Sequence, residues 1–75
     1  MSEPILDCRR LLCPMPVIRT QDHIKGLDQG ARFKVACTDP GTQNDIPAWC
    51  RIHGHEVVEI QEKDRDFIFT IQVHK

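Results

Sequence analysis

Apolar and polar positions alternate over three stretches of this chain and recur with helical spacing over two others. In Arg32-Phe33-Lys34-Val35-Ala36-Cys37-Thr38, Phe33, Val35 and Cys37 share one side while Arg32 and Lys34 share the other. That period of two predicts a half-buried strand. Residues 55–62 and 67–74 alternate likewise on either side of Lys63-Asp64-Arg65-Asp66, with Val58 and Ile60 on the first and Phe67, Phe69, Ile71 and Val73 on the second. They predict a β-hairpin. Residues 5–8 form a short β-compatible run with Leu6 and Cys8 at one parity and Asp7 at the other, so a first strand is expected there.

Helical spacing appears between these strands. Val17, Ile18, Ile24 and Leu27 fit one helical face over residues 14–24, and Gly26 and Gly30 supply stop signals. Residues 42–54 carry polar cap candidates, an apolar face through Ile46, Trp49, Cys50 and His53, and a terminal Gly54. Pro47 fits that second helix if Asp45 is its cap; otherwise the helix starts near Thr42 and is disturbed in its first turns. The order βαβαββ predicts a two-layer α/β sandwich of the α+β kind: a four-stranded mixed sheet with two helices on one face. The other face, carrying Arg32, Lys34, Glu59, Thr70 and Gln72, is expected to meet water.

Composition narrows the functions available. A chain of 75 residues makes one small domain over residues 1–75, with no room for a deep catalytic cleft. Ten Lys and Arg against 11 Asp and Glu give a net charge of −1, which lacks the basic excess of a dedicated nucleic-acid binder. No leader or membrane-length apolar run is present, so a cytoplasmic protein with reduced thiols is expected.

Four cysteines hold the candidate chemistry. Cys37 and Cys50 fall on the predicted apolar faces and read as core, as Cys8 does by its parity with Leu6. Cys13 falls on no apolar face. Pro14 disfavours helical backbone at Cys13, so Cys13 is expected to cap the first helix, with Pro14 at the first helical position and Pro16 in the first turn. A thiol there would lie near the positive helix end, beside free N–H groups of Met15 and Val17 and just after Arg9 and Arg10. A fall in pKa from about 8.5 to about 7 would raise the thiolate fraction at neutral pH to roughly half. Cys8, close in sequence, is a candidate resolving thiol. His23 and His74 read as surface residues, and neither Cys8 and Cys13 nor His53 and His55 have the spacing of a zinc site. No metal or cofactor is expected.

Leu6-Asp7 followed by Leu12-Cys13-Pro14-Met15-Pro16-Val17 resembles the N-terminal signature of the TusA/SirA-like family of small sulfur carriers, L-D-(x3)-L-x-C-P-x-P-V. A second block, Asp39-Pro40-(x4)-Asp45-Ile46-Pro47-(x2)-Cys50, is similar to a further family stretch. Arg10 stands where the family commonly has glycine, and Met15 where its tRNA-thiolation members often have an acidic residue. The resemblance implies that Cys13 accepts sulfane sulfur as a persulfide from a cysteine desulfurase or a rhodanese-type protein. It would pass that sulfur to a TusD/DsrE-like acceptor in tRNA thiolation, sulfur oxidation or related trafficking. The chain would then be a sulfurtransferase-type carrier rather than a stand-alone enzyme, with Pro14, Pro16, Arg9 and Arg10 in support. Two other readings remain open: a thiol redox protein using Cys8 and Cys13, and a regulatory or nucleic-acid-binding module on the open sheet face.

Overall fold

A computed structural model describes residues 5–12 and 14–74. The elements run β1 (Ile5–Cys8), α1 (Met15–Lys25), β2 (Arg32–Cys37), α2 (Thr42–Ile52), β3 (Glu56–Lys63) and β4 (Asp66–Gln72). They form one four-stranded sheet in the order β1-β2-β4-β3. β1 lies parallel to β2, and the other two pairings are antiparallel. The expected mixed sheet and α+β sandwich are therefore both present.

Strand parity sets the core. Phe33, Val35 and Cys37 of β2 face the helices with Phe67, Phe69 and Ile71 of β4, and all are buried with Val73 just beyond. Burying each such large side chain contributes about 1.5–3 kcal/mol. Ile24 of α1 and Ile46 and Cys50 of α2 close the layer from above. Thr20, fully buried in α1, turns its hydroxyl back to donate to the Pro16 carbonyl at 2.8 Å, which satisfies a polar group that packing alone would leave costly.

Three local features differ from the sequence reading. β3 carries a bulge between Val57 and Glu59, so Val57 pairs with Ile71 on the core face while Val58 is left exposed; an inserted residue shifts every later side chain by one parity. α2 begins at Thr42 after Gly41 with Pro47 inside it, the second of the two starts the sequence allows. Thr70 is buried despite facing away from the helices, because it lies on a central strand between the longer side chains of its register partners Lys34 and Glu59. His23 packs its ring on Phe33 at 4.7 Å instead of standing in solvent.

β3 and β4 join through Asp64 and Arg65, both with positive φ (51° and 74°). A two-residue turn of this kind matches the natural twist of the strands. At the far end of α2, Trp49 stacks on His53 and His55, with ring centroids 4.6 and 5.5 Å away.

Candidate functional site

The site forms at the C-terminal ends of the parallel pair β1 and β2, where open α/β sheets place their ligands. β1 ends at Cys8, and the chain turns over Arg9 and Arg10, the Leu11 N–H donating to the Cys8 carbonyl at 3.3 Å. Arg10 occupies the third position of that turn with φ of 68°, the conformation a type II turn normally gives to glycine. Its backbone N–H donates to Thr38 Oγ1 at 2.8 Å, tying the turn to the end of β2.

Arg9 and Arg10 have different fates. Arg9 folds back on Asp7: its Nε donates to Oδ1 at 2.9 Å, its Nη2 to Oδ2 at 3.0 Å and its backbone N–H to Oδ1 at 3.0 Å. Asp66 lies 3.8 Å from the same guanidinium. These hydrogen bonds hold the Asp7 carboxyl down at about 2. The Arg10 side chain, by contrast, makes no hydrogen bond or ion pair with a described residue. A cavity of about 380 Å³ is lined by Asp7, Arg9, Arg10, Thr38 and Asp66.

Beyond the turn, Leu11 packs against the core while Leu12 is exposed. Cys13, the residue that sequence reasoning singled out, lies outside the described residues. The cap expected of it falls to Pro14, whose carbonyl accepts the N–H groups of Val17 and Ile18, each at 3.1 Å. Val17 thus reaches back three residues instead of four, and α1 begins one residue later than expected. Met15 donates to the Leu12 carbonyl at 2.9 Å, and Pro16, buried at the start of the helix, has no N–H. The donors expected to remain free for a sulfur anion are therefore in use. Exposed Leu12, Met15 and Ile18 give this end of the molecule an apolar shoulder.

The other cysteines belong to the interior. Cys8 and Cys37 are register partners on β1 and β2, and both are fully buried with Cys50. Burial pushes the Cys37 thiol up to about 12, reinforced by the nearby Cys8, and raises Cys50 to about 11; Cys8 is raised by burial as well. Thiols so shielded ionise with difficulty and are poor nucleophiles. Among the described residues, no three His, Cys, Asp or Glu side chains converge on a metal position, and no helix is long and apolar enough to cross a membrane.

Sequence reasoning located Arg9 and Arg10 but missed Asp7, Thr38 and Asp66. Asp7 could have been found from its spacing two residues before Arg9; Asp66 carries no local signal, because only the sheet brings the hairpin to this end.

The fold is that of a SirA-like α+β sandwich. The crystal structure of a SirA-like protein from Desulfitobacterium hafniense superposes with a TM-score of 0.83 at 23% identity, over 95% of this chain and 97% of that one. The chain belongs to the TusA family of sulfur carriers: the family model described as sulfurtransferase TusA matches residues 5–73. The sulfur carrier protein TusA of Pseudomonas putida is 40% identical over 70 residues, 93% of this chain and 88% of its own length. The putative sulfur carrier protein YrkI of Bacillus subtilis is 37% identical over 71 residues, 95% of each chain.

Proposed function

We propose that this chain is a single-domain cytoplasmic carrier in which Cys13 bears sulfur as a persulfide. The Cys13 thiolate attacks the outer sulfur of a persulfide on the donor protein. A new S–S bond forms at Cys13, the donor's S–S bond breaks, and the donor leaves as its thiolate. No net oxidation occurs and no cofactor of the carrier's own takes part. An acceptor thiolate then repeats the exchange in the opposite direction. A cysteine desulfurase or a rhodanese-type protein fits the donor role, and a TusD/DsrE-like protein the acceptor.

The observation that carries this reading is the division among the thiols. In a chain of a sulfur-carrier family, three of the four cysteines are buried with raised pKa values, which leaves Cys13 to the chemistry. Pro14 and Pro16 fix the start of α1 immediately after Cys13 in the sequence, while Arg9 and Arg10 bring two cations to the preceding turn. Cys8 is assigned to packing.

Incubation with a cysteine desulfurase, L-cysteine and pyridoxal phosphate should add the mass of one sulfur atom, localised to Cys13 by peptide mapping. Absence of the adduct with the desulfurase and with inorganic polysulfide alike, or its persistence in Cys13→Ser, would sink the reading.

A further inference from the structure

Arg10 sits in a conformation that suits it poorly. Outside the Asp64–Arg65 hairpin turn it is the one described non-glycine residue with positive φ, and an L side chain there crowds the backbone. No hydrogen bond or ion pair from its side chain to a described residue offsets that strain; the guanidinium adds only the smallest of the charge effects that lower Asp7. Arg9, one residue earlier, is committed to Asp7 and faces Asp66. Arg10 thus contributes a cation with no hydrogen bond or ion pair to a described residue, in a cavity where Arg9 is the ion-pair partner of both Asp7 and Asp66. The bond from its N–H to Thr38 pins the backbone that carries it, so less freedom is lost on docking.

We infer that Arg10 is a specificity-determining residue, whose guanidinium engages a carboxylate on the surface of the protein that loads Cys13 with sulfur. The inference rests on the carrier reading above. Its chemistry is that of the arginine fork, which matches a carboxylate with two parallel hydrogen bonds and keeps its charge at any physiological pH. Arg19 on α1 is also unpaired among the described residues, but it stands on ordinary helical backbone and serves as the comparison.

The test follows the rate of sulfur loading onto Cys13 from a cysteine desulfurase with L-cysteine and pyridoxal phosphate, and separately from inorganic polysulfide. Arg10→Gln keeps the Cβ and its backbone strain while removing the guanidinium and its charge, and melting curves check that it folds. At low salt it should load from the desulfurase about five- to tenfold more slowly. The deficit should close toward 1 M salt, where the screening length is about 3 Å. Arg10→Lys should recover part of the rate, and Arg19→Gln should change it by less than about twofold. Loading from polysulfide and the pH profile of Cys13 alkylation by iodoacetamide should stay as in the wild type. A wild-type rate from the desulfurase in Arg10→Gln overturns the inference. So does an equal loss with polysulfide accompanied by a shift of alkylation to higher pH, since Arg10 would then act on the thiolate itself. A wild-type chain that loads from polysulfide but not from the desulfurase also overturns it and leaves the carrier reading standing. Failure to load Cys13 by either route defeats the carrier reading.

Discussion

Replacing Arg10 by glycine should make the protein more stable, although the change removes a long side chain. An L-residue in the left-handed region costs about 1–2 kcal/mol, and Arg10 has φ of 68°. Glycine releases that strain but also gains freedom in the unfolded chain, a loss of about 0.5–1 kcal/mol. The guanidinium makes no bond to a described residue, and the N–H to Thr38 survives the substitution, so no further term enters. The balance is a gain of about 0.5–1 kcal/mol. For a domain of this size each kcal/mol moves the melting temperature by about 4–8 °C, so Arg10→Gly should melt about 2–8 °C higher. Thermal melts followed by far-UV circular dichroism, with urea titrations as a check, would measure it. Arg10→Ala is the control: it keeps the Cβ and hence the strain, and should stay within about 0.5 kcal/mol of the wild type. A glycine variant that melts at or below the wild type, or an alanine variant that gains as much, would refute the reasoning.

Three further outcomes follow from the interior and the turn. Cys37 and Cys50, pushed up to about 12 and about 11 from 9.0, stay protonated in the folded chain above the pH at which they ionise when unfolded. Their contribution to stability is thus intact below 9.0 and lost as pH rises toward 11 and 12; the urea midpoint should fall over that range, and less steeply in Cys37→Val. Asp7 has the opposite sign: lowered from 3.8 to about 2, it stabilises the fold above 3.8 and ceases to do so as pH falls through about 2. Asp7→Asn should be less stable than the wild type at neutral pH, with the gap in urea midpoint narrowing in acid; a gap that stays constant contradicts the assignment. Pro47 inside α2 leaves the Gln43 carbonyl without its helical donor, so Pro47→Ala should raise stability by about 2 kcal/mol after the unfolded-state offset. An unchanged urea midpoint would show that α2 bends without cost.

The sheet was legible because its core strands keep strict alternation: Phe33, Val35 and Cys37 and then Phe67, Phe69, Ile71 and Val73 all lie on the buried face. A hairpin around Asp64 and Arg65 followed from the polar residues between two such runs. What alternation cannot show is an inserted residue, and the bulge at Val58 is one. Pre-proline sterics at Cys13 point to a helix start one residue early, because the carbonyl that captures Val17 and Ile18 belongs to Pro14. At the site, the two arginines looked alike in sequence. Only the fold sets Asp7 and Asp66 around Arg9 and leaves Arg10 without a partner among the described residues. The buried status of Cys8, Cys37 and Cys50 was legible from parity and helical phase, and the structure adds the rise in their pKa values.

The burial of Cys8, Cys37 and Cys50 also sets a stoichiometry. Cys8 and Cys37 lie side by side on neighbouring strands, at the same end of the sheet from which the chain runs to Cys13. Were either thiol open to exchange, a sulfur held at Cys13 could migrate inward or be expelled as sulfide by closure of an internal disulfide. Sealed within the core, they make a carrier built on Cys13 monovalent: one sulfur atom arrives, and the same atom must leave.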